Sequence, residues 1–254
     1  MSAALDAILA ARRLRRILAP LGPDAPADVA AGYALQRELA EALGEWPPAG
    51  FKIGATARRM QDYLGLAEPA AAFVPAASCN PSPHVAAFAD FLAPGVECEI
   101  AVRLAADLPP GPCDPARAGA AVGQVMAAIE IVERRYGDLQ ELGTPTLIAD
   151  QVFHASGVLG PPVAELQGLD LAGLRGRILV DGLPQGEGRG ADLLGHPLAA
   201  LAWLAASPAA AVFGGLRAGQ VVWLGSVTAP IWLEGPCSVE VEFEGLPPAR
   251  LRLA

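Results

Sequence analysis

GVECEIAVRL, residues 95–104, decides how this chain is read. Val96, Cys98, Ile100 and Val102 alternate with Glu97, Glu99, Ala101 and Arg103, which is the period of a β-strand with two unlike faces. On such a strand Glu97 and Glu99 project from the same face, about 7 Å apart. Carboxylates so placed repel unless something positive lies between them, and an oxygen-preferring divalent ion, Mg²⁺ or Mn²⁺, suits that position. The chain carries its own control. VEVEFEG, 239–245, repeats the alternation with Glu240, Glu242 and Glu244 and reads as a strand with one wet face.

A third carboxylate separates the two cases. In VMAAIEIVERR, 125–135, both alternating faces are apolar until Glu133: Met126, Ala128 and Val132 on one, Val125, Ala127, Ile129 and Ile131 on the other. Glu130 shares the first face. A lone glutamate in a strand buried on both sides is costly unless it is paired or bound to a cation. Glu97, Glu99 and Glu130 together can hold one face of an octahedral ion, leaving three positions for water and a chelating substrate. If Glu130 is otherwise unpaired, Glu130→Gln should abolish activity without harming the fold.

GFKIG, 50–54, holds the only lysine, Lys52, against seventeen arginines. A guanidinium cannot exchange its proton in a protein, whereas an ammonium can, so a single retained lysine points to proton transfer or a compact positive charge. The flanking glycines let backbone or ligand come close. The plain alternative is a lysine that pairs with an acid.

Composition excludes several classes. Lys+Arg 18 against Asp+Glu 27 gives a net charge of -9, which argues against a nucleic-acid partner. ARRLRR, 11–16, reads as the polar face of an N-terminal helix. Cys79, Cys98, Cys113 and Cys237 form no CxxC pair, so neither a zinc site nor a disulfide framework is expected, and a reducing, cytoplasmic setting follows. Asp6 and four arginines interrupt any signal-peptide pattern. The uncharged run 197–216 is long enough for a bilayer, but Pro208, Gly214 and Gly215 break it, and a buried helix over 197–206 is expected instead. No membrane association is expected.

Helices are expected at 3–18, at 27–44 between Asp28 and Gly44, and at 57–64 with Thr56 as cap. Others start at Asp114-Pro115 (114–120) and at Pro197. Strands are expected at 50–54, 95–104, 122–134, 152–159, 175–180, 220–225, 237–244 and 249–253, with a hairpin turn at VDG, 180–182. Strands without a βαβ rhythm indicate an α+β fold: a β-rich core, 76–254, on which a helical N-terminal part, 1–75, packs. Trp203 and Trp223, taken as exposed on an acidic, Leu/Ala-rich surface, are compatible with a homo-oligomer.

GFKIGATARRMQDYLGL, GVECEIAV, AAIEIVERR, IADQVFHASGVLG, GADLLGHPLAALAWLA and LGSVT, with AGYALQ near the start, resemble in order the 2-keto-4-pentenoate hydratase family of the fumarylacetoacetate hydrolase superfamily. The resemblance covers nearly the whole chain. It implies a mixed β-roll core, a divalent metal on Glu97, Glu99 and Glu130, and Lys52 in the substrate pocket. It implies a hydratase adding water to a short 2-hydroxy-2,4-dienoate or 2-oxo-enoate through an enolate that the ion stabilises. Ser226 and Thr228 resemble hydroxyl donors to the substrate carboxylate, with satisfaction of turn backbone as the alternative.

Two departures stand out. EPAAAF, 68–73, puts Ala70 where the family has an acid, and DQVFH, 150–154, replaces a DNASS-like stretch. Gln151, Phe153 and His154 should therefore reshape the pocket, with His154 able to replace the missing proton carrier and Asp150 orienting a neighbour or capping a turn. The rival activities are a 2-oxo-3-enedioate decarboxylase, an acylpyruvate C–C hydrolase, and a metabolite-binding relative without catalysis.

Overall fold

The computed structural model describes residues 2–164 and 168–254. Among the described residues thirteen strands form two sheets. In chain order they are β1 (Gly50–Gly54), β2 (Ala70–Val74), β3 (Cys79–Pro81), β4 (His84–Ala86), β5 (Pro94–Leu104), β6 (Val122–Glu133), β7 (His154–Leu159), β8 (Arg175–Val180), β9 (Leu183–Arg189), β10 (Val221–Ser226), β11 (Ile231–Trp232), β12 (Cys237–Phe243) and β13 (Leu246–Leu253). The larger sheet runs β2-β1-β10-β5-β6-β7-β3, with β11 added to β5, and the smaller runs β4-β13-β12-β8-β9. Strand β1 joins β10 in parallel, as β3 joins β7 and β4 joins β13; the other pairings are antiparallel.

The helices are α1 (Ala3–Arg13), α2 (Val29–Ala42), α3 (Arg58–Leu64), α4 (Pro115–Ala120), α5 (Leu139–Leu142), α6 (Thr144–Ala149), α7 (Pro197–Ala206) and α8 (Pro208–Val212). Their starts follow local chemistry. Asp28 accepts the amide of Ala31, Asp114 that of Arg117, and His196 Nδ1 that of Leu198. Gly44, at φ 74, follows the end of α2. Asp181 and Gly182 both have positive φ, as a two-residue hairpin between β8 and β9 requires. No described helix is long and apolar enough to cross a membrane.

Several expectations change. Helix α1 stops at Arg13 rather than 18, because Arg15 turns left-handed (φ 50) and Leu18 pairs with Tyr136. Thr56 does not cap α3; its methyl group lies where Gly225 has no side chain, so it packs on β10. Strand β7 begins at His154, not 152, since Gln151, Val152 and Phe153 all adopt positive φ. The run AAAFV forms β2 although it shows no alternation, because all five residues are buried. Trp223 is not exposed: β10 lies between β1 and β5, and the indole is 0% accessible. Trp203 is half-buried and donates to Glu68.

Candidate metal centre

The long β5–β6 ladder sets the site. Its register places Glu97 directly opposite Glu130 and Glu99 opposite Ala128, so all three glutamates share one face. One carboxylate oxygen from each lies within 4.8 Å of the others. Glu99 and Glu130 are fully buried, and Glu97 is half-buried at the edge of a cavity. Like charges directly opposite in a sheet repel, and burial removes the water that would screen them.

The surrounding chain satisfies only part of this cluster. The amide of Gly225, at a bulge in β10, donates to Glu99 Oε2 at 2.9 Å. Lys52, 2% exposed, reaches Glu130 Oε1 at 3.3 Å, and His154 Nδ1 meets the same oxygen at 2.8 Å. Glu99 Oε1 and Glu130 Oε2 are buried with no partner among the described residues. Two orphaned oxygens beside a third carboxylate fit a hard divalent cation.

The proton balance agrees. Burial, reinforced by the charge of Glu130, pushes the Glu97 carboxyl up to about 8, against the pull of Lys52. Glu99 is raised well above the usual carboxylate range by burial and by the charges of Glu130 and Glu97. Burial would raise Glu130 too, but the Lys52 charge and the His154 hydrogen bond outweigh it and hold it low. Burial also lowers the His154 pKa, against the pull of Glu130. Glu130 is therefore not the lone charge expected from sequence. Its removal should strand Lys52, so a loss of stability is now the expected outcome of Glu130→Gln.

Lys52 is fixed by a second bond, to the carbonyl of Val152 at 2.5 Å. That carbonyl is presented by the left-handed run Gln151 (φ 64), Val152 (φ 48) and Phe153 (φ 66), a conformation unfavourable for residues with side chains. Asp150, just before the turn, does not join the glutamates. It is buried against Arg12 (2.5 Å), Arg135 (3.3 Å) and the hydroxyl of Tyr136 (2.8 Å). Burial would raise its pKa, but those arginines hold it below the usual range. Gln151 donates to Phe73 O and lines a different cavity from the one that holds Lys52.

Ser226 donates to Cys98 O and accepts from the amide of Thr228, so the turn occupies part of its bonding capacity. Both hydroxyl residues line a cleft of about 960 Å³ that meets, at Glu97, a cavity of about 650 Å³ containing Lys52. Ala70 lies opposite Gly54 on the Lys52 face and brings no acid. Sequence reasoning missed Arg12, Arg135, Tyr136 and the Val152 carbonyl. Arg12 is 138 positions from Asp150, and no local pattern links them.

Fold and glutamate cluster define a class, and the family model described as "Fumarylacetoacetate (FAA) hydrolase C-terminal" matches residues 52–254. The 2-keto-4-pentenoate hydratase of Paraburkholderia phymatum is 31% identical over 240 residues, 93% of this chain and 90% of that protein. The 2-hydroxyhexa-2,4-dienoate hydratase of Comamonas testosteroni is 32% identical over 228 residues, 87% of this chain and 84% of that protein. The chain thus belongs to the fumarylacetoacetate hydrolase superfamily and, within it, to the 2-keto-4-pentenoate hydratase family. The solved 4-oxalocrotonate decarboxylase of Pseudomonas putida G7, complexed with magnesium and adipate, superposes with a TM-score of 0.89 at 26% identity, covering 99% of this chain and 96% of that one.

Proposed function

We propose that the protein is a divalent-metal-dependent hydratase that adds water to a short 2-hydroxy-2,4-dienoate or 2-oxo-enoate. The observation that carries this reading is the pair of orphaned oxygens, Glu99 Oε1 and Glu130 Oε2, beside Glu97 at the wall of a cavity that also holds Lys52. Glu97, Glu99 and Glu130 would hold Mg²⁺ or Mn²⁺, which when bound polarises a 2-oxo acid as a Lewis acid. His154 donates its Nδ1 proton to Glu130 Oε1, leaving Oε2 free to face the ion.

Lys52 has two of its three donor positions directed to Val152 O and Glu130 Oε1. The third is free for the substrate carboxylate or for exchanging a proton with the dienol. Ser226 and Thr228 would bind the carboxylate from the adjoining cleft.

Decarboxylation of a 2-oxo-3-enedioate is the second reading, favoured by the close superposition on the 4-oxalocrotonate decarboxylase. Supplying 2-hydroxypenta-2,4-dienoate and 2-oxo-3-hexenedioate to the Mn²⁺-loaded protein, and following ultraviolet loss and CO₂ release, separates the two. A Mn²⁺-loaded protein that consumes neither would overturn both.

A further inference from the structure

Adjacent arginines at the end of β6 have opposite surroundings. Arg135 is buried and bound to Asp150, Glu133 and the carbonyl of His154. Arg134 is exposed, makes no ion pair among the described residues, and lines the same cavity as Lys52 and Glu97. Its guanidinium lies 3.8 Å from the centroid of the Trp232 ring. That indole rests on β5 where Gly95 leaves room; a Cβ there would stand 2.8 Å from the ring. Arg134 is thus held by a stack before any ligand arrives, which lowers the entropy lost on binding.

The cavity lining also includes the apolar residues Met60, Leu64, Leu139, Val152 and Phe153. The other charged residue of that lining, Asp138, is occupied in capping α5 through the amides of Gln140 and Glu141. The cavity therefore offers a buried ammonium at Lys52, apolar lining, and an exposed guanidinium at Arg134 with no ion pair among the described residues. Arg134 lies four residues beyond Glu130, about 13 Å along an extended strand, a span that an arginine side chain and a short carbon chain bridge together.

We propose that Arg134, braced by Trp232, selects a substrate carrying a second carboxylate at the end remote from its 2-oxo group: a 2-oxo dicarboxylic acid of about six carbons. The assignment rests on the proposed metal-dependent site, which the hydratase and decarboxylase readings share, and it favours the dicarboxylic substrates of the second. A carboxylate on a pre-placed guanidinium forms charge-assisted hydrogen bonds that a methyl terminus cannot form.

The test is calorimetry of the Mn²⁺-loaded full chain at 0.15 M salt with two non-reacting probes of equal length, 2-oxoadipate and 2-oxohexanoate. The expected result is at least tenfold tighter binding of 2-oxoadipate, reduced to within about twofold in Arg134→Gln. Equal binding of the two probes by the unmodified chain, or a preference that survives Arg134→Gln, overturns the selection by Arg134 while leaving the metal site standing. Failure of the Mn²⁺-loaded protein to bind either probe removes the reading of the site and the proposal with it.

Discussion

Strands β5 and β12 both carry glutamate at every second position, and their neighbours differ. On β12, Glu240 faces Arg250 and Glu242 faces Arg177, with ion pairs of 2.7 and 2.5 Å on a partly exposed face. On β5, Glu97 faces buried Glu130 at the wall of a cavity, and two carboxylate oxygens lack partners among the described residues. The same alternation is thus a solvated, self-compensated ladder in one sheet and an acidic cluster only partly compensated by Lys52 and His154 in the other. What an acidic strand does depends on what its register puts across from it.

The contrast is broken most severely at Glu130. Glu130→Gln is expected to abolish turnover and to lower unfolding free energy by about 3–5 kcal/mol, because buried Lys52 loses its counter-charge. Glu240→Gln, an exposed pair, should change stability by less than about 1 kcal/mol and leave turnover intact. Urea denaturation and rate assays on both variants check this; equal effects would erase the distinction between the strands.

Lys52→Arg probes the same cluster from the cationic side. The larger guanidinium cannot occupy the space between Val152 O and Glu130, and it cannot exchange a proton, so the rate should fall by about a hundredfold or more. Near-normal turnover would reduce Lys52 to a counter-charge.

Metal addition comes next. Mn²⁺ at about a hundred times its dissociation constant should stabilise the fold by about 2.7 kcal/mol, or roughly 5–10 °C in Tm for a chain of this length. Glu99→Gln should lose that shift, and Glu242→Gln should keep it. Scanning calorimetry with and without Mn²⁺ decides.

The pH dependence sharpens the comparison further. Burial and the charge of Glu130 push the Glu97 carboxyl up to about 8, so below that pH a proton competes with the ion, and Mn²⁺ affinity should fall up to about tenfold per unit as pH drops. A carboxyl whose pKa is raised in the fold stabilises it below the unfolded pKa and loses that contribution as pH rises through the folded one. The metal-free protein should therefore lose Tm progressively from about pH 4.5 to about pH 8 and level off above, and Mn²⁺ should restore it. A metal affinity independent of pH would place the binding carboxylates elsewhere.

Much of the fold was legible in local pattern. The alternation of 95–104 and 122–134, the caps Asp28 and Asp114, and the hairpin at Asp181-Gly182 each depend on residues a few positions apart. Strand β2 escaped notice because a strand buried on both faces has no alternation to show. The pocket around Lys52 was harder to read. The left-handed turn at 151–153 has no glycine to announce it, and Arg12 reaches Asp150 from the N-terminal helix.

By itself the sequence determined the two long strands β5 and β6, which of their faces carries the glutamates, and that one lysine stands apart from seventeen arginines. Tertiary structure alone decided that Glu130 lies opposite Glu97, that Lys52 and His154 converge on one of its oxygens, and that Arg134 stacks on Trp232. The reason is physical. Alternation is written by covalent neighbours, whereas a charge's partner is chosen by strand register and chain closure over a hundred residues, where packing and desolvation decide.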